Sequence, residues 1–108
     1  MLGDIVKKID HIAINVGDIN EAVEWYVNKT GGDVLYHDET WAMIQTKNVK
    51  IALTIKQEHP PHVAIEVDPN DYPEDLFRMH RDGSKYVYKR DPWGNFIELI
   101  SYPTPNLL

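Results

Sequence analysis

The 108-residue sequence contains no cysteine. This absence excludes thiolate catalysis, cysteine-ligated zinc, iron–sulfur clusters and a disulfide-built secreted scaffold. Basic residues are also few, since eleven Lys and Arg stand against seventeen Asp and Glu, for a formal net charge of −6. The longest basic run is Lys7-Lys8, whereas a nucleic-acid surface normally shows clustered Lys and Arg. We therefore expect no nucleic-acid partner.

Long apolar runs are missing as well. No stretch approaches the roughly 20 apolar residues that a membrane-spanning helix needs, and the start Met1-Leu2-Gly3-Asp4 does not resemble a signal peptide. We therefore expect a cytoplasmic protein with no membrane partner. The length predicts one domain over residues 1–108, because a second core would not fit and one core of this size needs no disulfides.

An internal repeat organises the chain. The run HIAINV at residues 11–16 returns as HVAIEV at residues 62–67, and IALT at 51–54 matches IELI at 97–100. Such self-similarity is typical of a duplicated structural module. The sequence therefore predicts two modules, at about 8–56 and 61–102, with Pro60-Pro61 as the hinge because prolines cannot donate ladder hydrogen bonds.

In each half, a segment with the two-residue hydrophobic period of a strand precedes a segment with the hydrophobic period of a helix. In the first half, a strand precedes a helix that begins after Asp18 and ends near Gly31. Three further strands are predicted, at about 33–37, 41–46 and 49–55, which gives a βαβββ module.

The second half is predicted to be shorter. A strand at 62–67 precedes a helix from about Asp71 to Asp82, with Leu76 and Phe77 facing inward and Gly83 as its stop. Only two strands follow, at about 85–90 and 95–101, so this half would be one strand short. The predicted fold class is α+β, with two pseudo-symmetric βαβββ-type modules of which the second is shortened.

Strand alternation places the polar residues of the repeat on one face. Side chains alternate across a strand, so the apolar members of each repeat face the following helix. They are Ile12, Ile14 and Val16 in the first strand, and Val63, Ile65 and Val67 in its counterpart. His11, His62 and Glu98 therefore face the opposite side, towards whatever concavity the sheet forms.

A pseudo-twofold axis between the halves would bring four equivalent positions together: His11, Ala52, His62 and Glu98. Two imidazoles and one carboxylate with open coordination positions are typical of non-haem Fe(II) sites, and Mn, Ni, Zn or Co could also bind. Taken singly, each histidine is more often a capping or surface residue, and Glu98 could lie on a solvated edge. The recurrence of His at the same phase favours a shared site for a divalent metal ion.

The runs KIDHIAINV at 8–16 and DPWGNFIEL at 91–99 resemble those of the vicinal oxygen chelate superfamily. This superfamily includes glyoxalase I, methylmalonyl-CoA epimerase, extradiol dioxygenases and the bleomycin-resistance proteins. The resemblance covers nearly the whole chain and implies paired modules that form an incomplete mixed β-barrel around a metal. It also implies that His11, His62 and Glu98 bind the metal, which chelates two vicinal oxygens of a small-molecule substrate.

Departures from the superfamily pattern favour one branch. Glyoxalase I and the epimerase place a fourth polar ligand where Ala52 stands, and the epimerase uses a Glu near the position of Met43. Extradiol dioxygenases use two His and one Glu without a fourth ligand, and carry a Tyr about ten residues before that Glu, as Tyr88 stands before Glu98. The resemblance thus implies an extradiol-type dioxygenase with Tyr88 as catalytic hydrogen-bond donor, although Tyr88 could also be only a strand former. The acid–base His of those enzymes has no counterpart at residues 47–50.

Two alternatives stay open. One is a glyoxalase- or epimerase-like lyase or isomerase, and the other is a non-catalytic binding protein of the resistance type, against which the retained ligands argue. We also expect a homodimer, because short chains leave sheet edges to cover, and the site could be shared between two chains. Among the remaining histidines, His37 and His80 are expected at the surface, and His59 is a candidate to support the metal ligands. Trp41 is a candidate to stack on a flat substrate.

Overall fold

The computed structural model describes residues 6–103, so Met1–Ile5, which include the Met1–Asp4 start, and the tail from Thr104 lie outside the described residues. Within them, one α-helix and eight strands occur, together with two 3₁₀ turns at Pro69–Asp71 and Glu74–Leu76. In chain order they are β1 Ile9–Asn15, α1 Ile19–Thr30, β2 Asp33–His37, β3 Trp41–Gln45, β4 Lys50–Thr54, β5 His62–Glu66, β6 Arg78–Met79, β7 Lys85–Arg90 and β8 Phe96–Ser101. The described part of the chain contains no helix long and apolar enough to cross a membrane.

The eight strands form one mixed sheet in the order β2-β3-β4-β1-β5-β8-β7-β6, which is not closed into a barrel. Each half pairs its first and last strands in parallel, β1 with β4 and β5 with β8, and adds its two middle strands in antiparallel order. The antiparallel pair of β1 and β5 joins the halves. The predicted α+β fold with two pseudo-symmetric modules and an incomplete barrel is confirmed.

Helix α1 begins and ends at specific caps. The side chain of Asp18 accepts a hydrogen bond of 2.9 Å from the backbone N–H of Glu21, and Gly31 closes the helix in a left-handed conformation with φ of 68°. Its apolar face packs on the outer side of β2–β4. The core cluster there comprises Ile19, Ala22, Val23, Ala42, Ile44 and Leu53.

The predicted helix from Asp71 to Asp82 is wrong. Pro73 disfavours a helical conformation at the preceding residue, Tyr72. The backbone is extended at Tyr72, with φ of −132° and ψ of 159°, and again at Phe77, which separates the two 3₁₀ turns from β6. The prediction that this half is one strand short is also wrong, because β6 pairs with β7 and completes four strands. The second module lacks a helix, not a strand.

The inner face agrees with the predicted alternation, whereas the outer face differs. Residues assigned to the concave face are buried: His11, Ala13, Ala52, His62, Ala64 and Glu98. On the outer face, Ile12 is 40% and Val63 is 39% exposed. Neither is covered by a helix, because α1 packs on β2–β4 and the second module has no helix to contribute.

The turn between β7 and β8 sets the start of the strand that carries Glu98. The Asp91 carboxylate accepts hydrogen bonds of 2.9 and 2.8 Å from the backbone N–H groups of Trp93 and Asn95. Gly94 has φ of 89°, a left-handed conformation that favours glycine. The Asp-Pro-Trp-Gly-Asn run is therefore a turn that reverses the chain between two sheet strands.

Gly32 is expected to be intolerant of any side chain. A Cβ added there would lie 2.5 Å from the Gln45 carbonyl oxygen and 2.8 Å from the Ile44 Cγ2 atom. Because the first of these is backbone, Gly32→Ala should lower the free energy of unfolding by about 1–3 kcal/mol, measured by urea denaturation. Gly17→Ala is the matched control, since its Cβ would meet nothing within 4 Å. Equal unfolding midpoints for the two variants would contradict this prediction.

Candidate metal centre

The three predicted metal ligands lie on three adjacent strands, β1, β5 and β8. In the antiparallel β1–β5 pair, His11 lies opposite Ala64 and His62 lies opposite Ala13. In the parallel β5–β8 pair, Ala64 lies opposite Glu98. Ala64 therefore stands between His11 and Glu98, and its small methyl group leaves room above it for their side chains. The structure brings His11, His62 and Glu98 together on one buried face.

Their donor atoms form a nearly equilateral triangle. His11 Nε2 is 3.3 Å from His62 Nε2, and Glu98 Oε1 is 3.2 Å from the former and 3.4 Å from the latter. Ligand atoms about 2.1 Å from one ion are separated by about 3.0 Å at right angles and by about 3.4 Å at the tetrahedral angle. The triangle thus has the size that one divalent ion requires, and these three residues could hold it.

The hydrogen bonds on the far side of each imidazole orient its inner nitrogen. His11 Nδ1 lies 2.7 Å from Asp10 Oδ2, and His62 Nδ1 lies 2.7 Å from the Pro60 carbonyl oxygen. Since both partners only accept, each Nδ1–H donates, and neutral imidazoles would turn Nε2 lone pairs towards Glu98. Glu98 Oε1 is buried without a hydrogen-bond partner. A donor set of this kind matches the requirements of a metal cation.

The charges around the triangle also favour a cation. Burial would raise the pKa of Glu98, but the nearby imidazoles of His11, His62 and His80 outweigh burial and hold this pKa well below its usual range. Burial likewise opposes the charged form of His11, yet Asp10 and Glu98 together raise its pKa. Both shifts stabilise positive charge beside an ionised carboxylate. A bound metal would take the place of that proton.

Asp10 is a site residue that strand alternation misplaces. The β1–β5 register shifts between Ile9 and His11, and this irregularity lets Asp10 and His11 both be buried although they are adjacent in sequence. Its Oδ2 also accepts a hydrogen bond of 2.5 Å from the Tyr102 hydroxyl, and its Oδ1 lies 3.0 Å from Lys50 Nζ. Burial would raise the pKa of Asp10, but these partners lower it to about 2. Asp10 is thus an ionised carboxylate that orients a candidate metal ligand.

His80 is the second residue that sequence reasoning missed. It was expected on the surface of a helix, but it lies in the turn between β6 and β7, with Nε2 only 2.7 Å from Glu98 Oε2. No motif or repeat position marks it, because it has no counterpart in the matched runs. His37, by contrast, is exposed as expected and bonds Asn20 on α1.

Tyr88 lies opposite Glu98 in the β7–β8 pair and forms one wall of the cavity. Its hydroxyl is 3.1 Å from His59 Nδ1, and its ring meets the His62 ring edge-on at 5.1 Å. Burial and the Glu98 charge raise the pKa of Tyr88, so its hydroxyl keeps its proton at neutral pH. Burial lowers the pKa of His59, which leaves it neutral and able to accept that hydrogen bond.

The cavity above the triangle encloses about 570 Å³ of empty space, including its open mouth. Met43 and Ala52 face each other across β3 and β4 and form its apolar side. At the rim, Trp41 stacks on Tyr36 with ring centroids 4.3 Å apart. The Arg81 guanidinium lies 5.8 Å from the Trp41 ring and binds Asp38 at 3.0 Å. This ion pair links the β2–β3 and β6–β7 turns, which lie at opposite ends of the strand order.

The family model described as the glyoxalase/bleomycin resistance protein/dioxygenase superfamily matches residues 8–75. The chain belongs to this superfamily. The resemblance read from the two sequence runs is thereby confirmed, and the chain has the fold of a superfamily that includes metal-dependent enzymes.

Similar proteins include one curated relative and two solved structures. Metallothiol transferase FosB of Staphylococcus haemolyticus is 27% identical over 86 residues, which cover 72% of this chain and 61% of that protein. Methylmalonyl-CoA epimerase of Mycobacterium tuberculosis has a TM-score of 0.71 at 19% identity, covering 97% of this chain and 94% of the other. A superfamily member of Vibrio splendidus has a TM-score of 0.62 at 15% identity, covering 90% and 100%. At such identities the two structures establish the fold alone.

Asp10→Asn is expected to lower the free energy of unfolding by about 2 kcal/mol at pH 7. The change keeps the shape of the side chain but removes the charge that Lys50 and Tyr102 contact in a buried setting. Urea denaturation of the metal-free protein measures the effect. Asp33→Asn, on the exposed strand β2, is the control and should change stability by less than about 0.5 kcal/mol. A similar midpoint for the two variants would show that Asp10 contributes no net stability.

Proposed function

We propose that the protein is a metal-dependent enzyme that binds a small substrate through two neighbouring oxygens at an ion held by His11, His62 and Glu98. The observation that carries this proposal is the buried triangle of donor atoms, 3.2 to 3.4 Å apart, with Glu98 Oε1 free of any hydrogen bond. Two His and one carboxylate favour Fe(II), with Mn, Ni, Zn or Co as the other candidates. When bound, the ion supplies Lewis acidity that stabilises negative charge on substrate oxygens.

The open cavity above the triangle accounts for how the substrate would bind. Ala52 presents a methyl group where a fourth protein ligand would stand, so the positions that face the cavity are left for substrate oxygens. Met43 and Trp41 supply an apolar wall against which a flat molecule can lie. Glu98 stays ionised beneath the substrate, because its three histidine partners lower its pKa.

The hydrogen-bonded pair of Tyr88 and His59 supplies a donor that can contact the substrate. The Tyr88 hydroxyl is protonated and can donate a hydrogen bond to a substrate oxygen, while neutral His59, with Nδ1 3.1 Å away, can accept the hydrogen bond from that hydroxyl when no substrate is bound. This Tyr–His pair gives the site a histidine beside the candidate donor, which residues 47–50 do not offer. It supports an extradiol-type dioxygenase as the reaction, with Tyr88 as the catalytic donor.

A second candidate is metal-dependent thiol transfer, which the name of the staphylococcal relatives favours. Thiol transfer would use the same metal site, and a thiol would be the second reactant with the chelated substrate. An epimerase-like isomerase or lyase is less well supported, because Met43 and Ala52 are not groups that abstract protons. A purely binding role would leave the converging donors and the Asp10 contact without a use.

A homodimer also belongs to this proposal. Strands β2 and β6 are the two edges of the sheet, and β2 is exposed along its length. Unpaired edges and the exposed apolar residues Ile12 and Val63 are features that a second copy can cover. Whether the site then includes residues of both copies depends on which of these surfaces pairs.

His62→Ala is expected to abolish metal binding and to leave the fold intact, because the buried His62 side chain lines the cavity and lies outside the hydrophobic core cluster under α1. Elemental mass spectrometry of anaerobically purified protein, without a metal-binding tag, measures the metal content, and circular dichroism checks the fold. His37→Ala is the control, since His37 is exposed on β2. Unchanged metal content in the His62 variant would overturn the site assignment.

Tyr88→Phe is expected to lower kcat at least about 100-fold while leaving the metal content unchanged, because the variant keeps the ring and loses only the proton donor. The assay is oxygen uptake by Fe(II)-loaded protein with a panel of catechols. Tyr26→Phe, on helix α1, is the control. If no catechol is consumed but thiol disappears in the presence of an electrophilic small molecule, thiol transfer replaces the dioxygenase as the reaction.

A further inference from the structure

We propose that His80 is a positioning residue that orients the Glu98 carboxylate so that one oxygen faces the metal position and the other is held away from it. The inference rests on the proposed function, because it assigns a role within the same metal centre. His80 is not one of the three predicted ligands, and it lies in a segment for which the sequence predicted a helix.

The two oxygens of Glu98 have different surroundings. Oε2 lies 2.7 Å from His80 Nε2, whereas Oε1 lies between the two ligand histidines without a hydrogen bond. A carboxylate only accepts, so Nε2 of His80 carries the hydrogen that this contact uses. With Oε2 held in this way, the carboxylate presents Oε1 alone to the triangle.

Contacts other than the one with Glu98 also hold the His80 ring. It stacks on the Tyr86 ring with a centroid distance of 3.6 Å and an interplanar angle of 11°. The backbone N–H of His80 donates to the Ser84 carbonyl oxygen at 2.8 Å, and Gly83 N–H returns to the His80 carbonyl oxygen at 3.0 Å. The turn thus fixes the ring before any metal binds, as a supporting group for a ligand requires.

The consequence concerns the number of open positions at the metal. A carboxylate free to rotate can turn both oxygens towards one ion and occupy a position that substrate needs. Such supporting hydrogen bonds typically change metal affinity by about 10- to 100-fold. His80 would therefore keep Glu98 as a one-oxygen ligand and preserve the place where the substrate chelates.

Two substitutions separate the hydrogen bond from the ring stacking. His80→Phe keeps an aromatic ring that can stack on Tyr86 but has no side-chain N–H. His80→Gln keeps a side-chain N–H donor and loses the ring. His37→Phe is the control at an exposed histidine. The dissociation constant of Co(II) is measured by competition with a coloured chelator, and the visible spectrum of each Co(II)-loaded protein reports its coordination.

We expect His80→Phe to bind Co(II) about 10-fold more weakly or worse, with a changed spectrum, and His80→Gln and His37→Phe to stay close to the original protein. Equal affinity and spectrum in His80→Phe would overturn the role of His80 and leave the proposed function standing. An equal loss in both His80 variants, accompanied by lower unfolding midpoints, would also overturn it, since packing would then be the cause. If the original protein binds no Co(II), or if His62→Ala binds it equally well, the proposed function fails and this inference fails with it.

Discussion

The antiparallel pairing of β1 with β5 is the constraint on which the candidate site depends. This one ladder joins the two modules, and it places His11 opposite Ala64 and His62 opposite Ala13. Because side chains alternate with a period of two, a slip of one residue would turn one histidine out of the cavity. The parallel pairing of β5 with β8 then brings Glu98 beside the same Ala64. Two backbone registers thus determine the positions of three donor atoms.

The candidate metal centre contains buried charged groups, and neighbouring side chains offset the free-energy cost of burying them. Glu98 is 1% exposed and Asp10 is 4% exposed, so each carboxylate would be strongly destabilised without partners. Asp10 is contacted by Lys50, Tyr102 and His11, whereas the groups that contact the Glu98 carboxylate are the imidazoles of His11, His62 and His80. The Asp10 network is satisfied by the protein alone. The Glu98 network leaves Oε1 unpaired, and that difference distinguishes a structural ion pair from a candidate metal position.

Much of the fold and part of the site could be predicted from the sequence. The repeat of residues 11–16 at 62–67 predicted the two modules, and alternation placed His11, His62 and Glu98 on the buried face. The second helix was predicted wrongly because Leu76 and Phe77 were assigned to an inward helical face, whereas the chain makes only a 3₁₀ turn at Glu74–Leu76 and is extended at Phe77. The same error placed His80 on a solvated surface. In the structure, His80 lies in the turn after β6, and this turn brings its side chain to Glu98.

The sequence by itself determined seven of the eight strands, the inner face of the sheet and the recurrence of histidine, because alternation and duplication are local properties of the chain. Only the tertiary structure decided that Asp10 is buried beside His11, because an irregularity in strand register is not encoded by a two-residue period. It also decided that His80 meets Glu98 and that His59 meets Tyr88. These contacts join residues 18 and 29 positions apart, and their formation depends on how turns and strand pairs place distant segments against one another.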